Sequence, residues 1–269
     1  MKKWYLTAFV FIIAILVNIP LINAILTSFK TDSDISSSSK ILFEPTFEHF
    51  SNILFGSSYE FPQYFANSLL LATFTSLLVI IITLPAAYSM IRLHFGEKRA
   101  LPFTTGLRLF PPIIFAIPYY LMFQTLGLLD TIFGLVLINT FLNVPLGLLL
   151  MIGFLQDIPK DIEESAMLDG CSTYSILFRI ILPLMKPGIA SVGILTFMFS
   201  WNDYLFAVIM SLDKATPVTL GATMFITSWG IKWGDVSAAS FLSVLPPLLF
   251  TFLAQKYLVS GLSMGAVKG

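Results

Sequence analysis

An all-α integral membrane protein with six transmembrane helices is the fold this sequence predicts, and three observations predict it. Hydrophobic residues make up 57% of the 269-residue chain and charged residues only 11%, where a soluble domain holds about 45–50% and about 25%. The apolar residues fall in runs of the roughly 20 residues needed to cross about 30 Å of hydrocarbon. Polar and charged residues collect between those runs. So few charges could not cover the surface of a water-soluble fold of this size. The 15 basic and 15 acidic residues cancel, and the basic ones are scattered, which excludes a nucleic-acid binder held by phosphate contacts. One cysteine, Cys171, excludes a disulfide framework and a thiolate metal cluster.

Taken in order, the first span is expected over residues 4–29, behind Lys2 and Lys3. It starts like a signal peptide, but the run is longer and no A-x-A site follows, so it is expected to persist as a helix. A polar stretch at 30–62 carries Asp32, Asp34, Ser36–Ser39, Glu44, Glu48 and Glu60. Further spans are expected at 64–91, 101–123, 131–154, 187–210 and 238–257, in one transmembrane domain covering 1–269. The segment 156–186 is too polar for lipid. With the amino terminus inside, Lys2, Lys3, Arg92, Lys98, Arg99, Lys160, Arg179, Lys186, Lys256 and Lys268 lie on inner segments. Only Lys30, Lys40, Lys214 and Lys232 lie on outer ones, and Arg108 falls within the third span. This bias predicts that both termini and the 156–186 loop are cytoplasmic. Pro20, Pro85, Pro111–Pro112, Pro118, Pro145 and Pro246–Pro247 interrupt the spans. Kinks at this density suit helices around a cavity, although proline is also simply more frequent in membrane helices. No repeat relates the first three spans to the last three, which weakens an inverted-repeat secondary transporter.

The long inner loop has a physical signature of its own. Pro159 precedes a helix start, Asp161, Glu163 and Glu164 complement its positive end, and Gly170 suits the left-handed residue that closes it. A short capped helix over 160–169 follows, and a second helical stretch over 172–181 is expected to stop near Pro183. Two helices lying on the membrane surface would read the same way.

The spacing is more specific. Glu164-Ser165-Ala166, three residues, Gly170, nine residues and Ile180-x-Leu182-Pro183 resemble the E-A-A-x₃-G-x₉-I-x-L-P loop of ABC-importer permeases. Ser165 stands where alanine is usual. Trp201-Asn202-Asp203-Tyr204 and the tail from Gln255 to Gly269 resemble the binding-protein-dependent carbohydrate-uptake permeases of the maltose (MalG-like) type. The resemblance covers the whole chain and is sharpest from Pro159 onward. It implies the type I ABC-importer permease fold, with Asp161–Gly170 as a cytoplasmic coupling helix seated in a separate ATP-hydrolysing subunit. Glu163, Glu164, Ser165, Ala166, Asp169, Gly170, Ile180, Leu182 and Pro183 are its coupling residues. Glu164 would set polar register in the groove, Ala166 would allow close approach, and Gly170 would make the turn. The tail would also touch the ATPase subunits. Implied partners are a second permease in a heterodimer, two ATP-binding subunits and an external solute-binding protein, in a bacterial or archaeal inner membrane. The 30–62 segment and the 211–237 loop, with Trp229 and Trp233, would face that binding protein or pack on the rim.

The residues that are missing agree. No G-x-x-x-x-G-K-[ST] occurs, so the chain is not expected to bind nucleotide, and ATP and Mg²⁺ would sit on the partner subunits. His49 and His94 lie outside the spans and no metal-ligand cluster is visible, so a membrane-embedded enzyme has no catalytic grouping. An ion-coupled secondary transporter is the alternative, with only Arg108 and Asp203 to serve a relay. Asp203 falls roughly 24 Å along a helix from Pro187, in the outer half of the span. Trp201, Asn202, Asp203, Tyr204 and Asn143 are the candidate solute path, offering a flat face for a sugar and acceptors for its hydroxyls. A structural or gating role for the Trp201–Tyr204 cluster is the competing reading. Arg108, Gln124 and Asn139 are further polar groups in or near spans, each able to satisfy a kinked backbone instead.

Overall fold

The structure is a computed structural model that describes residues 2–37, 42–56, 60–227 and 230–265. Ser38, Ser39, Lys40, Trp229 and the end of the tail, 266–269, lie outside the described residues. The chain is almost wholly helical. Helix α1 spans Lys2–Thr27, α2 Asp32–Ser36, α3 Glu48–Phe55 and α4 Phe61–Arg92. Then come α5 (Glu97–Leu107), α6 (Ala116–Thr125), α7 (Ile132–Gln156) and α8 (Asp161–Leu168). They are followed by α9 (Thr173–Ile176), α10 (Leu182–Leu184), α11 (Lys186–Trp201), α12 (Leu205–Met210), α13 (Val218–Gly221) and α14 (Trp233–Gly265). Among the described residues, Ile226–Thr227 pairs antiparallel with Gly230–Ile231. Helices α1, α4, α7 and α14 are long and apolar enough to cross a membrane, and two bent pairs raise the number to six if each is one span.

Both bends have causes in the sequence. The third span is expected to be continuous from Leu101 to Phe123. Instead α5 ends at Leu107 and a 3₁₀ turn, Pro112–Phe115, leads into α6 at a 97° bend. Pro112 pushes the residue before it out of the helical region, and Pro111 accordingly sits at φ −59°, ψ 129°. The second bend lies at Met185, not at Pro183 where the sequence places a stop. Leu177–Ile181 widens into a π turn in which the Leu182 N–H bonds Leu177 O, five residues back. The wider turn gives the Pro183 ring room to continue the helix to Leu184. The chain then turns by 74° into α11, with Pro187 in its first turn.

The fifth span is interrupted as well. Asn202 closes α11 by donating both its backbone N–H (3.1 Å) and its side-chain amide (2.8 Å) to Met198 O. Asp203 Oδ1 accepts from Phe206 N–H at 3.3 Å and so starts α12. Short polar side chains that bond nearby backbone compete with the helix in this way.

The backbone divides into two compact units, Met1–Phe65 with Leu220–Pro246, and Ala66–Thr219 with Pro247–Gly269. In the first, α1 is exposed around its circumference, as suits a helix solvated by lipid. Phe29, Phe50 and Phe241 meet in tilted and edge-to-face contacts, and His49 is buried between Asp235 (Nδ1 to Oδ1, 2.8 Å) and the Lys30 carbonyl (Nε2 to O, 2.9 Å). In the second, one apolar core gathers Tyr88, Met151, Leu155, Ala166, Ile181 and Val192 from α4, α7, α8, the π turn and α11. Another gathers Leu71, Phe123, Leu135 and Phe206. Helix α7 is the most buried of the long helices. Its start is capped by Thr131 Oγ1, which accepts from Gly134 N–H at 3.0 Å.

Gly147 is where three helices meet. A Cβ there would lie 2.5 Å from Val79 Cγ1, 3.2 Å from Thr83 Cγ2 and 3.4 Å from Val192 Cγ1. Small residues at such crossings let membrane helices approach. Gly147→Val is therefore expected to lower the thermal midpoint of the detergent-solubilised protein, overpacking costing about 1–3 kcal/mol. Gly153→Val, on the same helix with nothing within 4 Å of its Cβ, is expected to leave the midpoint unchanged. Equal midpoints for the two variants would refute the assignment.

Candidate coupling loop and intramembrane cavity

Helix α8 has two faces of opposite character. Glu163 and Ala166 are buried, whereas Ile162, Glu164, Ser165, Met167, Leu168 and Asp169 are exposed. Asp161, Glu163 and Glu164 lie in its first turn, where the positive end of the helix dipole favours negative charge. The Ser165 hydroxyl, where alanine is usual, donates to its own helix at Asp161 O, 2.7 Å away, and so places no unsatisfied group on the surface. The helix closes in a Schellman turn. Gly170 N–H bonds Met167 O, Cys171 N–H bonds Ala166 O, both at 3.0 Å, and Gly170 takes φ +82°. Beyond it Ser172 Oγ caps α9 by accepting from Ser175 N–H at 3.3 Å. Ile180 and Leu182 are half-buried against the core that holds Ala166, and Pro183 is exposed.

The two adjacent glutamates are thereby separated in role. Glu164 points to solvent. The Glu163 side chain, 4% exposed, pairs with Arg92 at the end of α4, which is 7% exposed, with Nε–H donating to Oε1 at 2.5 Å. The same guanidinium donates from Nη2 to Leu155 O at 3.0 Å and Ile158 O at 2.7 Å, where α7 ends. Ala166 also faces inward, so its small side chain serves contact with this chain's own core. Sequence reasoning used Arg92 only as a mark of membrane orientation. The signal it left aside is that two consecutive glutamates lie about 100° apart on a helix, so a buried one calls for a cation.

A cavity of about 280 Å³ opens within the second unit, lined by Arg108, Asn139, Asn143 and Asp203 among phenylalanines such as Phe115 and Phe199. Asn139 Nδ2 donates to Asp203 Oδ2 at 3.0 Å and to Leu135 O at 3.1 Å. Asn143 Nδ2 donates to Asn139 O at 2.8 Å. Thus α7 is tied to the break between α11 and α12, and the cavity lies beside that tie. Of the five solute-path residues read from the sequence, Asp203 and Asn143 line the cavity. Trp201, 2% exposed, stacks on Phe197 at 5.8 Å, and Phe197 stacks on Phe250 at 4.0 Å. Asn202 and Tyr204 are exposed outside the cavity lining.

At the amino end of α7 sits a staple that the sequence did not announce. Asp130, at φ +56°, accepts backbone N–H bonds from Leu212, Asp213, Lys214 and Ala215, all at 3.0–3.1 Å. Asn67 Nδ2 donates to the carbonyls of Lys214 and Thr216, both at 2.9 Å, and holds the same loop from α4. Burial raises the Asp130 carboxyl, but the four N–H donors outweigh it and bring the group below the ordinary carboxylate value.

Residues 79–264 match the family of binding-protein-dependent transport system inner membrane components. The chain belongs to this family. The permease is 33% identical over 272 residues to the trehalose/maltose transport system permease protein MalG of Thermococcus litoralis, covering 100% of this chain and 98% of that one. It is 32% identical to the diacetylchitobiose uptake system permease protein DasC of Streptomyces coelicolor, covering 90% of this chain and 89% of the relative. Its fold matches a chain from the crystal structure of a bacterial ABC transporter involved in import of the acidic polysaccharide alginate. The TM-score is 0.81 over 95% of this chain and 96% of that one, at 21% identity. A second match, TM-score 0.67 at 15% identity over 94% and 93%, comes from an alginate transporter in complex with an alginate pentasaccharide-bound periplasmic protein. The permease therefore has the type I ABC-importer fold, crosses the inner membrane several times, and belongs to a family of membrane components, not of catalytic subunits. Family membership also displaces the ion-coupled secondary transporter.

The staple has a pH signature. A carboxyl lowered on folding contributes stability that is complete above its unfolded value, about 3.9, and lost as pH falls through the lower folded value. Asp130→Asn is expected to lower the thermal midpoint at neutral pH, and its gap from wild type should narrow below about pH 4. A gap that stays constant with pH would count against the carboxylate's role.

Proposed function

We propose that this permease is one half of a heterodimeric pathway that imports a carbohydrate by alternating access, driven by two separate ATP-binding subunits. An external solute-binding protein delivers the sugar, and both termini and the 156–186 loop lie in the cytoplasm. The observation that carries the proposal is α8: its inner face is fastened to the chain's own core, while its outer face, with Glu164, Met167 and Leu168, is open to a partner. Exposed large apolar side chains on a short acidic helix mark an interaction surface. ATP and Mg²⁺ reside on the partner subunits, since no phosphate-binding Gly-Lys motif occurs in this sequence.

The names of the relatives support a carbohydrate, and the cavity's chemistry agrees. Amides and a carboxylate supply hydrogen bonds for hydroxyls, and the surrounding phenylalanines supply apolar contact. Asn139, Asn143 and Asp203 are the residues assigned to solute, with Arg108 at the same lining. Polyols, oligosaccharides and glycerol phosphates share this chemistry. The basic residues favour the assigned orientation, because they concentrate on the loops placed inside.

Affinity purification of the tagged permease from membranes of its own cells is expected to recover a nucleotide-binding subunit. Glu164→Lys should leave the protein in the membrane yet uncouple ATP turnover from uptake, because it inverts the charge of the exposed face without touching the buried one. Transport that persists with every ATPase subunit removed, or normal uptake in Glu164→Lys, would overturn the proposal.

A further inference from the structure

We propose that Arg92 is a positioning residue that makes the coupling helix and the ends of two membrane helices move as one body. The inference rests on the importer reading and adds the route by which a displacement of α8 reaches the solute cavity. One guanidinium binds three elements at once: Glu163 on α8, the Leu155 and Ile158 carbonyls at the end of α7, and its own helix α4. Both charged side chains are buried, and Ala166, Leu155 and Ile181 belong to the adjoining apolar core. Shielding of this kind leaves little water to replace the contacts if they part.

The alternative route for the motion is the covalent chain itself, and it is interrupted. From α8 it passes a left-handed turn at Gly170, the π turn at Leu177–Ile181, the 74° bend at Met185 and the break at Asn202–Tyr204. The route through Arg92 crosses no break between helices. It enters α7, which stays helical from Ile132 to Gln156 with Pro145 inside it. From Leu155 back to Asn139 on the cavity wall is roughly 24 Å along that helix. A lysine could meet the Glu163 charge but could not span the carboxylate and both carbonyls, because its ammonium is a point donor where the guanidinium is a planar fork.

Spin labels introduced by Ser165→Cys on α8 and Phe133→Cys in the first turn of α7, on a Cys171→Ser background, report whether the body is rigid. Both labelled positions are exposed. For the permease alone in lipid nanodiscs, the distance distribution is expected to be narrow with Arg92 present. It should broaden by about one helical turn, roughly 5 Å, in Arg92→Gln. Should Arg92→Gln fail to fold, Glu163→Gln and Arg92→Lys are expected to broaden it to a smaller extent. Unchanged widths in the variants that fold would overturn the strut. In the assembled importer trapped with Mg-ATP and vanadate, the inter-label distance should stay constant with Arg92 present and shift in Arg92→Lys. A constant distance in that variant would also overturn it. If the wild-type permease recovers no ATPase subunit, the importer reading fails while the nanodisc measurement still decides the strut.

Discussion

Lipid offers the backbone nothing to bond with, and that constraint governs the rest of this structure. Every interruption of a membrane helix frees N–H and C=O groups that must find partners inside the protein. The break at Asn202–Tyr204 is closed by Asn202 on one side and Asp203 on the other, and Thr219 Oγ1 donates to the Asp203 carbonyl at 2.9 Å. Asn139 then reaches across from α7. Two of the polar residues that line the cavity, Asn139 and Asp203, thus also serve the broken helix. A hole with hydrogen-bonding walls arises in an apolar chain because helix breaks bring such side chains to one place.

The 156–186 loop poses a different problem, that of a short helix held by the chain's own core on one face and exposed on the other. A helix of eight residues has little stability of its own. Here its capping turn, the Ala166 contact and the Arg92–Glu163 pair hold it to the bundle of which α4 and α7 are part. Removing one partner of a buried pair leaves an uncompensated charge and costs about 3–5 kcal/mol. That cost makes the pair a poor source of net stability and a good source of fixed geometry.

The sequence made the spans legible, because runs of apolar residues report the thickness of the bilayer whatever the tertiary structure. The E-A-A spacing was legible for a similar reason, since it lies within one local segment. What stayed hidden depended on partners distant in sequence. Nothing near Glu163 and Glu164 says which of them faces Arg92, 71 positions away. Trp201 reads as a sugar platform by residue type and is instead stacked on Phe197. Pro183 reads as a stop and is accommodated by a widened turn. Asp130 reads as a loop acid, and its role is visible only when the 212–215 backbone folds around it. Asn139 reads only as a polar group in a span, because a helix that crosses its neighbour at one point gives no periodic signal for that point.

Gly170 carries a last consequence. Nothing lies within 4 Å of where its Cβ would be, while its backbone holds φ +82°. Handedness, not bulk, is therefore what the position selects. Among replacements arising in descendants of this gene, asparagine would be accepted more readily than the smaller alanine, inverting the order that a size-based substitution table would assign.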